Sequence, residues 1–244
     1  MSTPHNAKST PHTSIAPGVQ LKGRSARPSL SAGAKHEAGH ALICWLMDIP
    51  LQQVSLNRHG GVTQVVPGFT PPNFSPLAFL LLMVSGMENS YDGEVDFELR
   101  EHATEPDYFV ENTDSQKVAM LLSAMKEYSE ELEPQVLLFR LGVAAYRLRQ
   151  RFRKPFAEMV ALLKAEPHCI VLEQLHDLYG KWDLEYGPDR RPKSDVVMRT
   201  IARACRWKQL PKCKWIGWDF EPLTEWRYTR PTLEEVKAKT EQPV

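Results

Sequence analysis

The chain has 244 residues, enough for one good-sized domain or two small ones. Its 30 basic and 30 acidic residues balance to a formal net charge of zero, so we expect no nucleic acid or anionic membrane as a general partner. The apolar runs are too short for a membrane span, the N-terminus lacks the apolar core of a signal peptide, and the four cysteines form no CxxC pair. These features predict a cytoplasmic protein with reduced thiols and no membrane span.

Residues 1–30 are predicted to form a disordered tail, because prolines recur there among small polar and basic residues. A helix is predicted next, over residues 31–47, where Ala, Leu, Met and Lys favour helix and Ser31 suits the N-cap. Pro50 follows closely and cannot continue this helix.

This helix carries the motif HExxH at positions 36–40. His36 and His40 are four residues apart, so on a helix they lie on one face and can present two imidazole nitrogens to one zinc ion. Glu37 directly follows the first histidine and can take a proton from a water molecule at that ion, as the base of a zinc hydrolase does. The alternative interpretation is a structural helix whose histidines face a polar neighbour.

A β-hairpin is predicted after the helix. Residues 51–57 and 62–66 form its two strands around a glycine-containing turn, and Pro67 ends the second strand. A proline-rich loop leads to an apolar helix over about residues 76–89. Residues 91–111 are dense in Asp and Glu, which indicates a solvated surface.

The following part of the chain is predicted to be helical. Thr113 and Gln116 form a capping box that starts one helix. Apolar periodicity predicts further helices at about 135–153, 155–165 and 168–179. Five basic residues are interpreted as an exposed helix end: Arg147, Arg149, Arg151, Arg153 and Lys154.

The composition changes again in residues 181–244, which are rich in Trp, Lys and Arg. Such a mixture can bind single-stranded nucleic acid, but it more often packs a small irregular subdomain, and no nucleic-acid-binding module is recognisable. Thr232 starts a short terminal helix with a capping box. We therefore predict three parts: the tail, a helical domain over 31–180 and a C-terminal extension.

A catalytic zinc site needs a third protein ligand besides the two histidines. A histidine at the last position of HExxHxxGxxH is excluded, because Leu46 stands there. Asp114 has the merit that a helix N-terminus keeps its carboxylate ionised and oriented, although an acid that only favours the helix N-terminus would look the same. From the residues alone the candidates are His59, Glu88, Asp92, Glu94, Asp96, His102 and Asp114.

Three segments resemble the peptidase domain of FtsH-type ATP-dependent proteases, which are membrane-associated. The run KHEAGHALICWLM, residues 35–47, resembles the zinc-site helix of that family. The run VSLNRHGGVTQVVP, residues 54–67, is similar to the strand–turn–strand that follows, including Gly61, Thr63 and Gln64. The run ENTDSQKVAMLL, residues 111–122, resembles the segment with the third zinc ligand, and the resemblance assigns that ligand to Asp114.

The resemblance covers residues 31–180 and implies a mainly α, helical zincin-like peptidase domain with a small β-hairpin or sheet beside the HExxH helix. Residues 181–244 have no recognised counterpart. The Gly-Gly-Arg-x-x-Glu signature of the family is reduced here to residues 85–90, SGMENS, in a helix that is structural in the family. The sequence also contains no GxxxxGK[ST] phosphate-binding loop, so the resemblance implies a peptidase without its unfolding motor.

The implied function is a zinc-dependent metalloendopeptidase with His36, His40 and Asp114 as metal ligands and Glu37 as the catalytic base. Its substrates would be unfolded or flexible polypeptides, cleaved without ATP by the chain alone and held by strand addition to the hairpin. The resemblance leaves room for a homo-oligomer or a separate ATPase partner. The alternatives are a regulatory protease whose C-terminal extension selects one partner protein, and a non-catalytic binding protein with a peptidase fold.

Overall fold

The computed structural model describes residues 30–57, 60–66, 76–87, 114, 117, 118, 122, 134–186, 193–206, 214–215, 218–219 and 230–240. The predictions for the N-terminal tail up to residue 29 and for the acidic segment 91–111 lie outside these residues. Six of the candidate third ligands also lie outside these residues. Five belong to the acidic segment or flank it, and the sixth follows the first strand of the hairpin: Glu88, Asp92, Glu94, Asp96, His102 and His59.

The described residues form a mainly helical protein with a small three-stranded antiparallel sheet, as the sequence predicts in outline. Asp114, Lys117, Val118 and Leu122 are also helical. The elements run in the order α1 (Leu30–Leu46), β1 (Leu51–Asn57), β2 (Gly60–Val65), α2 (Pro76–Met87), α3 (Pro134–Arg151), α4 (Arg153–Lys164), β3 (Cys169–Val171), α5 (Leu172–Tyr186), α6 (Lys193–Ala204), β4 (Lys214–Trp215), β5 (Trp218–Asp219) and α7 (Leu233–Thr240). Of the helices in these ranges, none combines the length and the apolar character that crossing a membrane requires.

The three-stranded sheet has the order β2-β1-β3, with β1 antiparallel to both neighbours. The predicted hairpin is confirmed, and its central register pairs Val54 with Thr63. The second strand begins at Gly60 rather than at residue 62, because Gly60 and Gly61, which were predicted to belong to the turn, pair with Asn57 and Leu56. Along β2 the side chains alternate: Thr63 and Val65 are half-buried, whereas Val62 and Gln64 are exposed. One face of β2 is therefore directed towards the interior, where α1 packs against the hairpin.

One predicted helix is wrong at its start. Residues 169–171 form strand β3, and the helix expected over 168–179 begins at Leu172 and continues to Tyr186. The physical reason is pairing: Ile170 lies opposite Val54 of β1, and three residues gain a strand conformation only from such a partner. The junction between α3 and α4 falls at Phe152, within two residues of the prediction.

Helix α1 is the centre of the core. Its residues from Glu37 to Leu46 are all buried, and it packs against α2, α4 and the β1–β2 hairpin. A helix that is surrounded in this way is apolar on every side rather than along one stripe. Near its end Trp45 is fully buried, with ring centroids 5.4 Å from Phe152 and 5.3 Å from Trp182 in edge-to-face contacts.

Residues beyond 180 contribute to this same core. Helix α5 extends to Tyr186, and the Tyr179 hydroxyl donates a hydrogen bond to the Ala41 carbonyl oxygen at 2.8 Å. Helix α6 buries Val197 and Ile201 in the core cluster that contains α1. The hydrophobic core around α1 thus includes residues from the segment that composition assigns to the C-terminal extension.

An ionic cluster of Asp48, Asp183, Lys193 and Arg230 closes the C-terminal end of α1. Lys193 Nζ lies 2.8 Å from Asp48 Oδ1 and 2.6 Å from Asp183 Oδ1. Arg230 makes contacts of 3.0 Å with each of the same two carboxylates. The Trp45 indole N–H donates to Asp183 at 2.9 Å. The cluster therefore joins the end of α1 to α5, to the start of α6 and to the chain just before α7.

Candidate metal centre

The two histidines of the HExxH motif point to one place. They occupy successive turns of α1, and their Nε2 atoms are 3.1 Å apart. Their rings meet edge to face with centroids 4.7 Å apart. His40 is buried, whereas the His36 side chain keeps 30% of its exposure, so the pair opens towards solvent on the His36 side.

Asp114 completes the group. Its Oδ2 atom lies 3.1 Å from His36 Nε2 and 2.8 Å from His40 Nε2. Among the residues that the structure describes, these three form the group of potential metal-ligating side chains whose donor atoms converge. Asp114 is thus the candidate third ligand that the structure places beside the histidines, while the other six candidates lie outside the described residues.

The donor set fits a zinc ion. Two imidazoles and one carboxylate leave a fourth position free, which is the composition of a catalytic zinc site. Bond lengths of about 2.0–2.1 Å in tetrahedral geometry separate neighbouring ligand atoms by about 3.3 Å. The three atoms here are 2.8–3.1 Å apart, so a small outward adjustment of the side chains is enough to admit the ion. Magnesium and calcium prefer oxygen ligands throughout and fit less well.

Helix α2 orients the His40 ring through a backbone carbonyl group. The Nδ1 atom of His40 lies 2.8 Å from the Leu82 carbonyl oxygen, which can only accept a hydrogen bond. Nδ1 therefore carries a proton, and Nε2 is the ring nitrogen that faces Asp114 and His36 and could bind a metal ion. One turn later is Gly86, where a Cβ atom would overlap the His40 ring. Glycine is what allows α2 to approach the histidine closely enough for this hydrogen bond.

Hydrogen bonds and opposite charges stabilise the ionised forms of Asp114 and His40. Burial by itself would raise the pKa of Asp114, but hydrogen bonds from His36 and His40 outweigh it and hold that pKa well below its usual value. Burial by itself would lower the pKa of His40, yet the hydrogen bond to Asp114 and the nearby carboxylates raise it overall. Lys117 Nζ adds a positive charge 3.8 Å from Asp114 Oδ1. Asp114 is therefore an ionised carboxylate, as a ligand must be.

Glu37 lies beside the cluster and under β2. Its side chain is buried, and one carboxylate oxygen, Oε1, is 3.9 Å from His36 Nε2. The other, Oε2, accepts a hydrogen bond of 2.6 Å from the Thr63 hydroxyl. Gly61, two residues earlier on β2, leaves room for the carboxylate, because a Cβ atom there would overlap it. The carboxylate thus has one anchored oxygen and one that faces the histidines.

Four of these features were not predicted as parts of the site: the Leu82 carbonyl, Gly86, Gly61 and Thr63. The resemblance to the FtsH-type family covers Gly61, Thr63 and Gly86 but gives them no part in the site. The signal for Gly61 and Thr63 in the sequence is that both fall on one face of a strand that follows the HExxH helix directly. Leu82 and Gly86 offered no such signal, because α2 meets α1 only through the tertiary fold.

Comparison with known proteins adds no further assignment. A scan against protein-family models finds no match to this chain, and a search of curated proteins finds none. The resemblance to FtsH-type peptidases consequently stays a prediction.

Proposed function

We propose that this protein is a zinc-dependent metalloendopeptidase with a zincin-like, FtsH-type peptidase domain. The observation that supports this most is the convergence of His36 Nε2, His40 Nε2 and Asp114 Oδ2 within 3.1 Å of one another, with the Glu37 carboxylate alongside. Two imidazoles, a carboxylate and a neighbouring acid that binds no metal are the parts a metallopeptidase requires.

In this proposal His36, His40 and Asp114 hold the ion. When bound, zinc supplies a Lewis acid that polarises the substrate carbonyl and makes a water molecule more acidic. Glu37 accepts the proton of the attacking water on its free carboxylate oxygen and passes it to the departing amine. Both transfers use the oxygen Oε1, since Oε2 is engaged by Thr63.

The proposed substrates are unfolded or flexible polypeptides. Strand β2 is an outer strand of the described sheet and runs directly over Glu37. An extended peptide could add to such a strand through backbone hydrogen bonds, which places a peptide bond near the base without demanding a particular sequence. The chain alone would need no ATP for this, because a flexible segment already has the extended form.

A regulatory protease with one partner differs from this proposal only in substrate range. A non-catalytic binding protein is less well supported, because it has no use for a buried carboxylate held beside the metal ligands.

The test combines metal analysis with cleavage of casein, using the full chain with and without ATP. The wild type should carry about one zinc per chain and cleave casein equally with and without ATP. Glu37→Gln keeps the size of the side chain but cannot accept the proton, so this variant should retain zinc and lose activity about 100-fold or more. A purified chain that takes up no divalent metal, or a Glu37→Gln variant with full activity, would contradict the proposal.

A further inference from the structure

We infer that Thr63 is a positioning residue for Glu37: its hydroxyl fixes which carboxylate oxygen faces the metal ligands. The inference deepens the proposed function and rests on it. Its basis is the hydrogen bond of 2.6 Å from Thr63 Oγ1 to Glu37 Oε2, a contact that joins β2 to α1 across 26 positions in the sequence.

The strand geometry directs Thr63 to this task. Thr63 and Gly61 lie on the inner face of β2, two residues apart, and both meet the side chain of Glu37. Gly61 provides the space for the carboxylate, and Thr63 provides a donor at its far oxygen. The backbone of Thr63 is itself fixed by pairing with Val54 in the middle of the hairpin, so the hydroxyl is held by the sheet.

Orientation matters because a glutamate side chain has three rotatable bonds. A base must hold its oxygen within hydrogen-bond reach of the water that it deprotonates, and a displacement of about 1 Å can lower the rate of the chemical step about 100-fold. The hydroxyl occupies Oε2 and leaves Oε1 free, 3.9 Å from His36 Nε2. In the described residues the Thr63 hydroxyl hydrogen-bonds to Glu37, and its side chain stands on the inner face of β2 rather than along the edge to which a peptide would add, so its effect is exerted through Glu37.

Two variants of Thr63 test the inference. Thr63→Val keeps the branched shape but removes the hydroxyl donor, and Thr63→Ser keeps the donor but loses the branch. The matched control is Thr200→Val, because the Thr200 hydroxyl also donates a hydrogen bond, to the Val196 carbonyl at 2.7 Å within helix α6. Steady-state cleavage of a flexible fluorogenic peptide and zinc content are measured for all four proteins. Thr63→Val should lose about 10- to 100-fold in kcat with unchanged KM and full zinc, whereas Thr63→Ser and Thr200→Val should stay within about threefold of the wild type.

A second measurement does not depend on activity or metal. In chelator-treated protein, the free energy of chemical unfolding is measured for the wild type, Thr63→Val, Glu37→Ala and the double variant. Because the two side chains share one hydrogen bond, the double variant should lose less unfolding free energy than the two single variants lose together. Additive losses, or a Thr63→Val enzyme with wild-type kcat, would overturn the inference while leaving the proposed function intact. A wild type that binds zinc but cleaves no peptide would instead contradict the proposed function and, with it, the catalytic role of Thr63.

Discussion

Replacement of Gly86 by alanine tests how helix α2 holds the metal site. The new Cβ atom would overlap the buried His40 ring, so either the ring or the helix has to move. Either α2 withdraws or the ring shifts, and both lengthen the hydrogen bond of 2.8 Å between His40 Nδ1 and the Leu82 carbonyl. The variant should therefore bind metal less tightly.

The magnitude follows from two opposing effects. Alanine is favoured over glycine by at most about 1 kcal/mol here, because Gly86 is the next-to-last residue of α2 rather than an interior one. Inserting a methyl group into a closely packed place costs about 1–3 kcal/mol, so the metal-free protein should be unchanged or less stable by up to about 3 kcal/mol. Disturbing a partner that orients a ligand weakens metal affinity about 10- to 100-fold, equivalent to about 1.4–2.8 kcal/mol. The two ranges overlap, so the loss of zinc affinity and the loss of stability of the metal-free protein have to be measured separately.

The assay is competition for zinc with a chromophoric chelator, accompanied by thermal unfolding of the metal-free protein. The matched control is Gly180→Ala on α5, where a Cβ atom would meet nothing within 4 Å. That variant should bind zinc like the wild type and gain stability from its helix propensity. If Gly86→Ala bound zinc as tightly as Gly180→Ala does, the close approach of α2 to His40 would have no role in the site.

Two further predictions concern the third ligand and the thiols. Asp114→Asn removes the charge of the proposed ligand and should lower zinc affinity by at least about 100-fold, which is more than changes outside the ligand set produce. The control variant Lys117→Ala should retain zinc. If equilibrium dialysis showed equal zinc retention in the two variants, Asp114 would not be a ligand. Burial raises the pKa of Cys205 to about 11 and that of Cys44 beyond its usual range. At pH 8 about one Cys205 side chain in 1000 is therefore a reactive thiolate, and iodoacetamide should modify the half-buried Cys169 before Cys44 and Cys205. Raising the pH towards 11 should accelerate modification of Cys205, and peptide mapping that found Cys205 as reactive as Cys169 at pH 8 would contradict its burial.

The elements with strong local patterns were predictable from the sequence. The HExxH helix and the hairpin lie within two residues of their predicted bounds, because helix formers, a proline stop and strand alternation all act over neighbouring residues. The convergence of His36 and His40 follows from the helical repeat alone. Asp114 could be selected from seven candidates only by resemblance, because nothing local distinguishes a ligand from an acid at a helix N-terminus.

Features created by tertiary packing were not predictable. Strand β3 exists through its pairing with β1, so its three residues looked like part of a helix. The Leu82 carbonyl is an ordinary backbone group in the sequence, and only the crossing of α2 with α1 gives it a role. The ionic cluster joins Asp48 to Arg230 across 182 positions, a separation at which no periodic pattern can indicate a contact.

The placement of the HExxH helix near the start of the chain has a consequence for synthesis on the ribosome. The partners that bury its end come much later: Asp183 meets Trp45 across 138 positions, and Arg230 meets Asp48 across 182. At 5–20 residues per second, roughly 10–40 s pass between translation of α1 and translation of Arg230. During that interval the end of α1 lacks the partners of Trp45 and Asp48. The packing and the ion pairs at the end of α1 are thereby completed only after translation has reached Arg230.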